Sequence, residues 1–142
     1  MIAYLDASAI LRVVFGEKSR VAEWDQIEYG VSSALVAVEC LRTIDRIRVR
    51  RSLSDDDVVV RCTALREVLD RVQLIPLSAP VLARASDPFP TTLGTLDALH
   101  LSSALLWQQS EGQRLTLLTH DVELGRAARA MGMAVRGDEQ WP

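Results

Sequence analysis

Four acids stand in unusual places in this chain of 142 residues. Asp6 closes the apolar run Ile2-Ala3-Tyr4-Leu5, and Asp121 closes Leu117-Leu118-Thr119-His120. Glu39 interrupts Ala37-Val38-Glu39-Cys40-Leu41, a run that is otherwise apolar, and Asp97 lies in Thr95-Leu96-Asp97-Ala98-Leu99-His100-Leu101. Each has an ordinary explanation. Asp6 and Asp121 precede helical patterns, where Asp is a favoured N-cap. Asp97 sits in a first helical turn, where the dipole favours an anion. Glu39 has Arg42 three residues on as an intrahelical partner. Together the four suggest more. Carboxylates within a few ångströms repel one another unless a cation lies between them. Ligands that are all oxygen favour a hard ion, Mg²⁺ or Mn²⁺. His100 and His120 have no metal-ligand spacing with Cys40 or Cys62, so zinc is not expected. His100 is read as a core-edge residue and His120 as a rim residue.

The elements that must position these acids follow from periodicity. Residues 2–5 read as a buried strand, and Ala7 to Phe15 as a helix stopped by Gly16. Ser19 to Tyr29 is expected to form a second helix ending at Gly30, and Val31 to Ser33 a short strand. Ala34 to Arg50 reads as a long amphipathic helix with Ala37, Cys40, Leu41, Ile44 and Ile47 as its apolar stripe. Ser54 caps a helix that carries Asp55, Asp56 and Asp57 in its first turn and runs to about Arg71. Val72 to Leu77 is a strand and Ser78 to Ala85 a short helix. Pro88, Pro90 and Gly94 make Ser86 to Gly94 a loop. Thr95 caps a helix to Gln109. Arg114 to Thr119 is a strand, Asp121 to Met131 a helix, and Met133 to Arg136 an edge strand. Alternating strands and helices imply an α/β fold: one domain over residues 1–142, with a central, mainly parallel sheet flanked by helices. In open sheets of this kind ligands bind outside the carboxyl ends of the strands, where Asp6 and Asp121 fall.

Composition narrows the class. Hydrophobic residues make up 49% and charged residues 25%, so the chain is globular and neither disordered nor disulfide-built. The formal charge of −3 does not mark a nucleic-acid binder by itself. Lys18 is the single lysine among 16 cationic residues. Arg42, Arg46, Arg48, Arg50, Arg51, Arg61, Arg66 and Arg71 cluster in one stretch, interleaved with acids, which reads as a solvated face. No secretory leader and no run long enough to span a bilayer is evident, so a cytoplasmic location with reduced Cys40 and Cys62 is expected.

The chain resembles PIN-domain ribonucleases, and more narrowly the VapC-type toxins of bacterial type II toxin–antitoxin modules. The resemblance spans essentially the whole chain. It rests on the strand running into Asp6-Ala7-Ser8, on Val38-Glu39-Cys40-Leu41-Arg42, on Thr95-Leu96-Asp97-Ala98-Leu99-His100-Leu101, and on Leu117-Leu118-Thr119-His120-Asp121. The third block is the most specific. Asp6, Glu39, Asp97 and Asp121 match the family's catalytic, metal-binding acids, and Ser8 and Thr119 match the hydroxyls that steady them. Leu105 departs from the family's small residue, and His120 stands between Thr119 and Asp121; neither change touches a carboxylate.

The resemblance implies a Mg²⁺-dependent endoribonuclease (Mn²⁺ also fits). Asp6 and Asp97 would hold the ion, with Glu39 and Asp121 bound directly or through water. A water activated there would hydrolyse an RNA phosphodiester to leave 5′-phosphate and 3′-hydroxyl ends. Arg12, Arg42 and Arg46 are the nearest cations by sequence to offset the acids toward RNA. The expected partners are an RNA substrate, a cognate antitoxin protein and a second copy of the chain in a homodimer; no membrane is expected. Two other readings remain: a PIN-like binding module without catalysis, and a hydrolase using Asp6 as nucleophile. The last would want a second acid at position 8, which is Ser.

Overall fold

The computed structural model describes residues 1–138; the end of the expected domain, 139–142, lies outside them. Among the described residues, strands and α-helices follow one another as β1 (Ile2–Leu5), α1 (Ala7–Val14), β2 (Tyr29–Ser33), α2 (Leu35–Arg51), α3 (Asp55–Leu69), β3 (Val72–Ile75), α4 (Ala79–Ser86), α5 (Thr95–Glu111), β4 (Thr116–Leu118), α6 (Val122–Ala130) and β5 (Ala134–Arg136). The five strands form one sheet in the order β3-β2-β1-β4-β5. Every pairing is parallel, with Tyr4 opposite Val31 on one side and Leu117 on the other.

Strand alternation sends successive side chains into two cores. Ala3 and Leu5 pack with Ile10, Val14, Val36, Cys40, Ile44 and Leu65 from α1, α2 and α3. Tyr4, Val31, Leu117 and Val135 pack with Leu101, Ala104, Trp107, Leu124 and Ala127 from α5 and α6. The result is the expected three-layer arrangement with the sheet in the middle. The chain leaves β1 toward β2 and β3, then returns to place β4 on β1's other side. The carboxyl ends of β1 and β4 therefore flank a crevice where the winding reverses, the place such sheets use for ligands.

Three expectations are corrected. Ser19 to Tyr29 does not form a full helix: a short 3-10 helix covers Ala22–Gln26, and Tyr29 already belongs to β2. Val21, Trp24 and Ile27 recur every third residue, the 3-10 period, and the Glu28 N–H bonds to the Met1 carbonyl at 2.9 Å, drawing the chain into the sheet. Thr95 is the first residue of α5 and not its cap; Gly94 takes that place, because its carbonyl already accepts the Ala98 N–H at 2.9 Å. Leu41 is 49% exposed and lies off the buried line of α2, which runs Val36, Cys40, Ile44 at a strict spacing of four. Leu41 falls about 100° farther round, out of reach of the core. The other boundaries shift by a residue or two at their ends.

Candidate active site

The β1 and β4 carboxyl ends are joined by two hydroxyls. Asp6 ends β1, its N–H bonded to the Leu118 carbonyl at 3.1 Å, and caps α1. Its Oδ2 accepts from Ser8 Oγ at 2.5 Å and from Thr119 Oγ1 at 2.8 Å. The same two hydroxyls accept backbone N–H groups from the turn after β4: His120 N–H to Ser8 Oγ at 2.8 Å, and Asp121 N–H to Thr119 Oγ1 at 2.9 Å. Each hydroxyl thus takes a proton contact from the turn and gives its own to one oxygen of Asp6. The other oxygen, Oδ1, points toward His100 Nε2 at 3.9 Å. Asp121 caps α6 through its Oδ1, which accepts from the Leu124 N–H at 3.0 Å. The capping role of both aspartates and their placement on one rim hold together.

Thr119 is fully buried, and its hydroxyl satisfies the Asp121 N–H. Thr119→Val keeps the shape and removes both bonds. The expected loss is about 1–3 kcal/mol, the cost of leaving a buried donor unpaired, read as a lowered urea midpoint with Thr119→Ser close to wild type. A valine variant as stable as wild type would contradict it.

Glu39 reaches across the layers. It stands on α2, and its Oε2 lies 2.5 Å from Nε2 of His100 on α5. Arg42, the intrahelical partner considered from sequence, pairs instead with Asp45 at 3.3 Å. Arg46 bonds Thr43, and Arg12 bonds the Ser19 carbonyl, so neither is engaged with the acids. The partner of Glu39 within the cluster is the imidazole of His100. His100 is fully buried, and its Nδ1 lies 2.9 Å from the Tyr4 hydroxyl. Burial opposes its charge, but the Glu39 hydrogen bond and the charges of Asp6, Glu39 and Asp97 outweigh burial and raise its pKa.

The charges of the other three acids are felt at Asp97. The pKa of Asp97 is raised from 3.8 to about 6, first by burial, then by Asp121, Asp6 and Glu39, with His100 acting the other way. The Cys40 thiol is pushed up to about 12 by burial and then by Glu39 and Asp6. The Tyr4 hydroxyl is raised well above its ordinary value by burial and by Asp6 and Glu39. Among the described residues no three His, Cys, Asp or Glu side chains are drawn together tightly enough to hold an ion as they stand. The donor set nevertheless fits a hard divalent cation. It is carboxylate throughout, and the charge of one member, Asp97, is held back by burial and then by its three like neighbours.

His100 is the residue that sequence reasoning placed at the core edge without a role. The signal was Glu39 itself, an acid in an apolar run that needed a partner. That partner lies 61 residues away, and no local spacing could name it.

A family model described as "PIN domain" matches residues 3–130. The chain belongs to the PIN-domain family. Within it the chain is of VapC type. It is 33% identical to Ribonuclease VapC46 of Mycobacterium tuberculosis over 135 residues, covering 93% of this chain and 94% of that one. It is 27% identical to Ribonuclease VapC47 of the same species, covering 91% of each. Among solved structures, FitAcB from Neisseria gonorrhoeae aligns with a TM-score of 0.67 at 20% identity, over 95% of this chain and 96% of that one. VapBC2 from Rickettsia felis, bound to a DNA fragment from their promoter, aligns with a TM-score of 0.65 at 16% identity, over 95% and 97%. At these identities the structural matches establish the shared fold.

Proposed function

We propose that this PIN-domain protein is the toxin of a toxin–antitoxin pair and a Mg²⁺-dependent endoribonuclease, with Mn²⁺ able to substitute. It hydrolyses RNA phosphodiester bonds to leave 5′-phosphate and 3′-hydroxyl ends. This reading is supported by Asp6 and Asp121 on one rim, by Glu39 reaching the same His100 that Asp6 faces, and by the raised pKa of Asp97, to which burial and then the other three acids contribute. The substrate class is supported by the VapC relatives, which are ribonucleases by name. An antitoxin partner is supported by the likeness to VapBC-5 from Mycobacterium tuberculosis, described as a member of the VapBC family of toxin–antitoxin systems. We assign the site of action to the cytoplasm; no helix among the described residues is long and apolar enough to cross a membrane.

Asp6 and Asp97 would hold the ion, with Glu39 and Asp121 bound directly or through water. When bound, such a cation lowers the pKa of a water at neutral pH and stabilises charge on the phosphate and the departing oxygen. Ser8 and Thr119 occupy Oδ2 of Asp6 and leave Oδ1 free for the ion. Asp97 must lose its proton to act as a ligand, so at limiting Mg²⁺, where proton and cation compete, activity is expected to rise with pH through the region near 6. A homodimer has physical support in the exposed Val38, Leu41 and Val49 of α2 and Val59 and Val60 of α3.

The test is cleavage of total cellular RNA by the purified chain. With Mg²⁺, discrete fragments are expected that a 5′-monophosphate-dependent exonuclease degrades. In excess EDTA the fragments should vanish. Cutting that persists in EDTA, or fragments with 5′-hydroxyl ends, would overturn the mechanism. No cutting under any condition would favour the non-catalytic binding module.

A further inference from the structure

The proposed chemistry leaves one group of the cluster unused, the imidazole of His100, buried in the wall behind the acids. The geometry points to His100 as the positioning residue for Glu39, its Nε2–H holding Oε2 so that Oε1 is the oxygen offered to a cation, with Tyr4 locking the ring from behind. This rests on the reading of the cluster as a divalent-cation site.

Three observations support it. First, the imidazole is fixed at both nitrogens, at 2.9 Å to the Tyr4 hydroxyl and 2.5 Å to Glu39 Oε2. Second, both Tyr4 and His100 are fully buried, and their rings meet edge to face, with centroids 5.9 Å apart and planes at 82°. The ring therefore has no freedom to swing away. Third, Glu39 and His100 belong to opposite layers of the fold: α2 packs in the core with Leu5, and α5 in the core with Tyr4. The bond is a tie over the rim of the sheet.

The donor direction does not depend on the charge of the ring. In the neutral ring the Tyr4 hydroxyl donates to Nδ1, and Nε2 carries the hydrogen. In the imidazolium both nitrogens carry hydrogens, and the Tyr4 oxygen accepts. Either way an N–H faces Glu39. The arrangement parallels Asp6, where Ser8 and Thr119 hold Oδ2 and make no bond to Oδ1. Carboxylate ligands need such outer partners to fix their orientation.

The experiment measures Mn²⁺ binding to the full chain by calorimetry, without RNA. The variants are His100→Gln, whose amide nitrogen reaches the place of Nε2, and His100→Asn, which reaches Tyr4 but falls short of Glu39. His100→Asn is expected to weaken Mn²⁺ binding roughly tenfold or more, and His100→Gln to stay within about threefold, the range for outer partners of metal ligands. In a Glu39→Ala background His100→Asn should cause no further loss, because it acts through Glu39. Equal affinities for the Asn and Gln variants, or additive losses in the double variant, would overturn the proposal. If His100→Asn does not fold, Tyr4→Phe keeps the ring and removes its lock. It should weaken Mn²⁺ binding only when Glu39 is present, and unchanged binding would overturn the proposal. A chain that shows this pattern yet cuts no RNA would sink the ribonuclease mechanism while the positioning role stands. A wild-type chain that binds no Mn²⁺ would remove both.

Discussion

Asp97→Asn is expected to abolish RNA cleavage and, in the metal-free protein, to raise the melting temperature at neutral pH. Loss of an outer partner of a metal ligand costs roughly 10–100-fold, so loss of a ligand should cost at least the upper end of that range. The stability effect has the opposite sign. The folded pKa of Asp97 is raised from 3.8 to about 6. A carboxyl that binds its proton more tightly in the folded state stabilises the fold below its unfolded pKa. That contribution is lost as pH rises through the folded value. The wild-type protein in EDTA should therefore lose stability between pH 3.8 and about 6, and the Asn variant should lack that limb. Replacing the anion also forfeits a favourable helix-dipole interaction of about 0.3–1 kcal/mol. Repulsion from three other carboxylates is expected to outweigh it. Mg²⁺ should then stabilise wild type more than the variant, because binding to the native state adds stability by mass action. Melting curves across pH, in EDTA and in Mg²⁺, decide the matter. A variant that melts lower than wild type in EDTA, with an equal response to Mg²⁺, would mean that the acids do not act as one site.

Gly137→Ala is expected to be the most destabilising single-methyl change near the site, at about 3 kcal/mol. Gly137 follows β5 with φ of +99°, where a side chain is strained. An added Cβ would stand 2.5 Å from the Thr119 carbonyl oxygen and 2.7 Å from Val21 Cγ2. The first of these is backbone and cannot turn aside. Strain of about 1–3 kcal/mol adds to overpacking of about 1–3 kcal/mol. The displacement falls on Thr119, whose hydroxyl holds Asp6, so cleavage should fall along with stability. It also loads the neighbouring Asp138, which pairs with Arg129 at 2.7 Å. Urea denaturation measures the effect; a loss within about 0.5 kcal/mol, the scatter of surface substitutions, would show that the strand end yields.

Much of this was legible in the chain because local signals and global placement coincide. Asp6 and Asp121 each follow a short apolar strand and precede a helix, so one local pattern gives both their cap geometry and their position on the rim. The loop before α5 was marked by Pro88, Pro90 and Gly94. What failed locally depended on distant partners. Val21, Trp24 and Ile27 are apolar at a spacing that a helix can share, and only the pull of Met1 on Glu28 made the segment a short 3-10 helix. Leu41 looked like core by composition, but the line through Val36, Cys40 and Ile44 had already filled the buried face. Glu39 was visible as an anomaly, and its apparent answer, Arg42, was the wrong one. The true partner, His100, comes from the other layer, and Tyr4 behind it from the central strand.

The strand order has a consequence for when, during synthesis, the acid cluster can form. β1 is synthesised before the other four strands and sits at the centre of the sheet, yet its neighbour β4 comes only after β2 and β3. Of the two hydroxyls that hold Asp6, one belongs to Thr119, 113 residues later. Glu39 waits in the same way for His100, 61 residues on. A chain still being translated therefore carries Asp6 and Glu39 before all the groups that aim them are present, and the cluster can close only once the segment from Asp97 to Asp121 has left the ribosome.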